Sequence, residues 1–303
     1  MNPHLTWNLV ADVRQLVEYR FMVNALLAAS VVAVMAAVVG WFMVLRLQTF
    51  AGHTLSMMSF PGAAAAALVG LPLAAGYFAF CTAGALVIAG AAGGGGRRAP
   101  AQESAVIGTV GAVALALGFL GLSVYGGVLE SLESLLFGSI LGVTRGQVLT
   151  LAIVAVCVLS LLALAGRPLL FASIDEPLAR ARRVPVGSLS IAFLLVLGLA
   201  VAATAQITGV LLVFALLVAP AGIARELTPR IGAGLALSVL LGLVIAWVGL
   251  GLSYFTNHSP GFYVSTIAIV LYAGARLTRG LSTARARRGG PDAREALGGA
   301  TDR

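Results

Sequence analysis

Apolar positions gather in long runs at roughly 21–45, 54–70, 72–92, 104–124, 147–165, 188–207, 209–224, 231–254 and 260–277. Short stretches rich in glycine, proline and arginine separate them. A membrane-crossing helix needs about 20 apolar residues, so the pattern predicts about nine helical segments. The predicted fold class is all-α, a polytopic membrane helical bundle of about 8–9 spans. The strand alternation of an outer-membrane barrel is absent. Two segments, 54–70 and 209–224, are short and interrupted by glycine and proline, which marks them as half-helices or tilted pieces lining a path. The stretch 128–142 is too polar for a free-standing span and reads as a short packed helix. Residues 1–20, with Trp7, Tyr19 and scattered charges, read as an interfacial helix. Residues 21–277 form the membrane domain, and 278–303 read as a basic, disordered tail.

Composition agrees with that partition. The chain has 303 residues, of which 60% are hydrophobic and 10% charged, with a mean hydropathy of +1.02. A soluble domain carries about 25% charged residues. The net charge of +8 comes from 19 arginines with no lysine. It serves topology rather than nucleic-acid binding. Sixteen of the arginines fall in the loops 46–53, 93–103, 166–187 and 225–230 and in the C-terminal tail, leaving Arg14, Arg20 and Arg145 for the other side. By the positive-inside rule the N-terminus lies outside and the C-terminus in the cytoplasm. The two cysteines, Cys81 and Cys157, sit in apolar runs and read as small core residues.

The chemistry-bearing stretch is Phe50 to Gly62, FAGHTLSMMSFPG. His53, Ser56, Met57 and Phe60 recur at helical spacing and share one face. An imidazole and a thioether on one face suit a soft or borderline metal ion, and both are also ordinary helix residues. Both readings stand at this point. Thr204, Gln206 and Thr208 place hydroxyl and amide groups beside Gly209, either as gate residues or as turn chemistry. Glu130 and Glu133, one turn apart, read as a solvated face; His258 and His4 carry no special meaning. Asp175, Glu176, Arg180, Arg182 and Arg183 form a short amphipathic segment between two spans, either a docking element or a solvated loop.

No acidic or basic residue lies near a span midplane, which argues against a proton-driven transporter. There is no G-x-x-x-x-G-K-[ST] phosphate loop and no triad or carboxylate pair placed for catalysis. An enzyme is therefore disfavoured, and the energy for uphill transport would come from a separate subunit.

The chain resembles the permease subunits of metal-ion ABC transporters, over roughly residues 20–275. Four stretches carry the likeness: VLRLQTFAGHTLSMMSFPGAA, SLLFGSILGV (Ser134–Val143), SIDEPLARARRVPV (Ser173–Val186) and QITGVLLVFALLVAPAGIAR (Gln206–Arg225). The first is similar to the family's Gly-Asp-x-x-Ser-His…Pro-Gly motif. Ser56, Pro61 and Gly62 match it. His53 stands where the family has Asp, and Met57 where it has His. Two readings follow: the metal-contacting pair is rebuilt as His53 and Met57, or the ion passes without strong ligands there.

The resemblance implies an ATP-driven importer of a divalent transition metal, zinc first with manganese or iron behind. It implies a homodimer in the cell inner (cytoplasmic) membrane, a cytoplasmic ABC ATPase subunit and an extracytoplasmic metal-binding protein. No cofactor is held permanently, and the metal is cargo. The path is expected along His53, Ser56, Met57, Pro61, Thr204 and Gln206, and ATPase coupling through Asp175, Glu176, Arg180 and Arg183. The alternatives are a permease for a metal chelate or cobalamin-like ligand, and a non-transporting membrane scaffold.

Overall fold

The structure, a computed structural model, describes Gln15 and residues 18–91, 100–125, 142–256 and 259–288. Among the described residues the regular structure is helical, with no strand. In chain order the helices are α1 Arg20–Leu45, α2 Thr49–Val69, α3 Leu73–Ala91, α4 Pro100–Tyr125, α5 Arg145–Ile174, α6 Glu176–Ala181, α7 Val186–Thr208, α8 Val210–Leu227, α9 Ile231–Thr256 and α10 Pro260–Arg288. Seven stretches are long and apolar enough to cross a membrane: α1, α3, Ser104–Val124 of α4, α5, α7, α9 and Pro260–Arg279 of α10. The long helices outside that set, α2 and α8, correspond to the two short segments of the sequence pattern. Both contain a proline, Pro61 and Pro220.

Lipid and protein interior are both apolar, so these helices need no polar face, and small residues decide where they meet. α1 and α7 form the centre and are buried along most of their length. α1 packs on α5, α8 and α9; α7 packs on α3 and α5; α2 packs on α3 and α4 and also touches α7 and α8. Two close backbone approaches stand out, Gly40 of α1 against Leu217 of α8 and Gly62 of α2 against Gly76 of α3. At the second, a Cβ on either glycine would run into the other's backbone carbonyl, so only glycine lets the two backbones meet.

Polar contacts gather several helix ends at one end of the bundle. Arg46, at the C-terminus of α1, reaches Ser173 near the end of α5 and Ser190 near the start of α7. Arg225 of α8 donates to the Val44 carbonyl, and Arg279 of α10 pairs with Glu226. The arginine-bearing termini that the sequence assigns to one side therefore do lie together.

Two expectations change. Cys157 is exposed, not a core residue, because α5 turns it away from the buried side that carries Ala155 and Val158; Cys81 is buried as expected. The last helix runs to Arg288, past the boundary at 277, since the Ala- and Arg-rich continuation favours helix. The apolar run ends near Arg279, earlier than the helix. Most of the N-terminal segment 1–20, Glu130, Glu133, most of 128–142, His4, His258 and the tail beyond 288 lie outside the described residues.

Candidate translocation face and coupling segment

α2 begins directly behind the α1 terminus. A tight connection joins them, with Leu47 in the left-handed region at φ 58°. Within α2, the positions that share one helical face in sequence divide by environment. His53 and Met57 are half-buried; Ser56 and Phe60 are buried. The face spans about 100° of the helix circumference, wide enough for its two margins to meet different neighbours. Phe60 packs against Phe119 of α4, with ring centroids 5.1 Å apart. Ser56 donates its hydroxyl to the His53 carbonyl at 2.7 Å, so that hydroxyl is spent within its own helix.

The His53 ring meets Phe214 of α8 edge-on, centroids 4.8 Å apart at 64°. Its Nδ1 is buried and has no hydrogen-bond partner among the described residues. Met57 turns elsewhere: a Cβ at Gly111 of α4 would lie 3.7 Å from its sulfur. In this single chain the imidazole lies against α8 and the thioether against α4. Among the described residues no group of three or more His, Cys, Asp and Glu side chains is placed to hold a metal ion. Pro61 lacks the N–H that would serve the Met57 carbonyl four residues back; Pro220 does the same to Leu216 on α8. Each of these two helices therefore carries one carbonyl without its usual helical donor.

α7 and α8 are joined without a loop. The break is at Gly209, with φ 74° and ψ 165°, a region that is essentially glycine-only. Residues on either side of the break are buried, where irregular backbone at membrane depth is tolerated. Thr204 donates to the Ala200 carbonyl at 2.7 Å, and Thr208 to the Thr204 carbonyl at 3.0 Å. Both hydroxyls serve their own helix. Gln206 faces a small cavity shared with Gln147 of α5, and its amide nitrogen is buried without a partner among the described residues. Thr204 and Gln206 thus belong to the α7–α8 break and are not drawn together with His53.

The coupling candidates form a built unit. Asp175 caps α6 by accepting from the Leu178 N–H at 2.9 Å, with Pro177 in the first turn, a favourable start for so short a helix. Glu176 and Arg180 form an i,i+4 ion pair at 2.6 Å, both about half exposed. Arg183 closes the segment in the left-handed region at φ 59°. Ala179 is fully buried against Ala172 of α5 and Val186 of α7. Leu178, in contrast, stays exposed beside the charges.

Arg46 is the residue whose role the sequence did not reveal. Its Nη2 donates to Ser190 at 2.6 Å and its Nη1 to Ser173 at 3.4 Å. The guanidinium lies 5.5 Å from the Phe193 ring centroid. Burial pushes its pKa down, and the nearby Glu176 carboxylate raises it. It therefore ties the end of α1 to both helices that carry α6. The available signal was its position, a lone charge closing a long apolar run.

The ABC 3 transport family matches residues 18–278. The chain is 29% identical over 266 residues to the manganese transport system membrane protein MntC of Halalkalibacterium halodurans, covering 88% of this chain and 90% of that protein. It is 28% identical over 258 residues to the chelated iron transport system membrane protein YfeC of Yersinia pestis, covering 85% and 86%. The solved structure of PsaBC from Streptococcus pneumoniae, in complex with Fab, superposes with a TM-score of 0.76 at 28% identity, over 88% of this chain and 95% of that one.

Proposed function

We propose a metal-import function on a settled premise: the chain belongs to the ABC 3 transport family and is a multi-pass permease of the inner membrane. The cargo is a divalent first-row transition metal. Manganese or iron stands ahead of zinc, because the relatives are named for manganese and iron. A sparse donor set, His53 with the Met57 side chain and a proline-freed carbonyl on each of α2 and α8, also includes the oxygen ligands that manganese accepts more readily than zinc does.

The permease binds no nucleotide itself. A cytoplasmic ATPase docks on α6, and an extracytoplasmic metal-binding protein delivers the ion. The observation that carries this reading is the coupling unit. A capped helix rooted by Ala179 presents Leu178, Glu176 and Arg180 outward, and Arg46 links its supports to the helix that precedes the candidate path. The gathering of arginine-bearing helix ends supports an N-terminus outside and a C-terminus inside. With α2 and α8 counted beside the seven apolar helices, the described residues would make nine crossings.

We assign a second copy to the half-buried face shared by α2 and α8. That face carries His53 on α2 and Phe214, Ala215, Val218 and Ala219 on α8. Its small residues permit close helix approach. Two copies would bring two imidazoles to one path, completing a site that one chain leaves open.

Whole-cell elemental analysis of a deletion strain in metal-limited medium tests the reading. Manganese or iron should fall, be restored by the intact gene, and not be restored by His53→Ala. A fall in zinc alone would reverse the metal order. An unchanged metal content, in a strain without other importers, would sink the import reading.

A further inference from the structure

Beyond the translocation face, a cavity of about 500 Å³ opens at the arginine-bearing end of the bundle, where α1, α8, α9 and α10 meet. Two guanidiniums line it from different helices, Arg225 on α8 and Arg279 on α10. Arg225 spends one N–H on the Val44 carbonyl at 2.9 Å. That bond covers the negative C-terminal end of α1 and holds the side chain at the cavity wall. Arg279 pairs with Glu226 at 2.5 Å, which leaves the lining set with a net positive charge.

Ile231, the first residue of α9, is also in the wall. The first-turn N–H groups of a 26-residue helix therefore start there and favour an anion. Arg230 and Arg276 are exposed nearby and extend the positive field. The rest of the wall is amphipathic: Tyr272, Pro229 and Trp41. Trp41 is 3% exposed, and its indole N–H has no hydrogen-bond partner among the described residues. Ile231 in the wall and Leu277 on α10, two residues before Arg279, are exposed, so apolar surface adjoins the basic pocket.

A basic pocket between membrane helices, with apolar surface leading away from it, has the chemistry of a lipid headgroup site. We propose that this cavity holds the phosphate of an anionic phospholipid, on Arg225, Arg279 and the start of α9, with the acyl chains running along the outer faces of α9 and α10. Inorganic phosphate offers the same charge without the apolar part, and the test separates the two. The placement in the cytoplasmic leaflet rests on the orientation proposed above; the binding itself does not.

The test uses the full chain, purified with its ATPase in detergent, delipidated and then incubated with phosphatidylglycerol or phosphatidylcholine. Native mass spectrometry reads the retained lipid. Phosphatidylglycerol should be retained about tenfold over phosphatidylcholine. The double variant Arg225→Gln/Arg279→Gln should lose that preference, while Arg145→Gln/Arg167→Gln, with the same charge change at exposed positions elsewhere, keeps it. Millimolar inorganic phosphate should not displace the lipid.

Equal retention of the two lipids, an unaltered preference in the pocket variant, or a preference lost equally in both double variants overturns the proposal. Displacement by inorganic phosphate makes the cavity a soluble-anion site and overturns it as well. Orientation is read separately, by labelling Arg230→Cys in intact cells with a membrane-impermeant maleimide. Labelling from outside would reverse the leaflet while leaving the binding result standing.

Discussion

The end of the bundle around α6 and the face of α2 around His53 are built in opposite ways. At the first, four residues have side-chain partners. Asp175 caps, Glu176 pairs with Arg180, and Arg46 holds two hydroxyls and lies over an aromatic ring. At the second, the candidate donors point to different helices, and the imidazole has a buried nitrogen with no hydrogen-bond partner among the described residues. A coupling element must transmit displacement, which requires rigid contacts. A path must bind weakly enough to release, which favours few ligands. The polar contacts are concentrated where force would be passed on and are sparse where an ion would pass.

Removing the tie at the rigid end should have the largest effect. Arg46→Ala loses hydrogen bonds from a charged donor, worth about 1.5–3 kcal/mol each, and a cation–π contact of about 0.5–2 kcal/mol. Metal-stimulated ATP hydrolysis by the assembled complex should fall at least about tenfold, with the basal rate retained. A variant that stays fully coupled would show that Arg46 is only a topology charge.

The α7–α8 break comes next. Gly209→Ala forces a side chain into a glycine-only conformation at a cost of about 1–3 kcal/mol. The thermal midpoint in detergent should drop by several degrees; an unchanged midpoint would mean that the break relaxes freely and is not a fixed feature.

His53→Ala sharpens the contrast from the other side. Loss of one weak ligand should cost about tenfold in apparent metal affinity, or about 1.4 kcal/mol, in uptake by proteoliposomes, while the thermal midpoint moves little. If uptake kinetics are unaltered, the His53 ring only packs on Phe214.

The smallest effect is expected at the surface. Glu176→Gln removes an exposed ion pair worth about 0.2–1 kcal/mol. Coupling should change less than about threefold in a titration of ATPase against permease. A loss as large as that of Arg46→Ala would mean that Glu176 contacts the ATPase directly.

Much of the coupling end could be read from the chain alone. Asp-Glu-Pro followed by arginines announces a capped, charged helix through local rules. Glu176 and Arg180 lie four residues apart, and their pairing follows from spacing. The division of the 53–60 face could not be read that way. Ser56 and Met57 are neighbours in sequence and share one helix. Only the positions of α4 and α8 decide that one is buried and the other half-buried.

The sequence by itself determined that this chain crosses a membrane many times as helices. In lipid each backbone N–H and C=O must find its partner within the segment, and long apolar runs allow nothing else. The places where the arginines fall also give an expectation of which ends share a side. Only the tertiary structure decided which face of each helix meets protein. An apolar residue costs nothing against lipid or against a neighbouring helix, so burial leaves no periodic trace. The contact of Gly62 with Gly76, the edge-on meeting of His53 and Phe214, and the grip of Arg46 on Ser173 and Ser190 join residues far apart in the chain. They exist because small side chains let particular helices approach, and that selection is made in three dimensions.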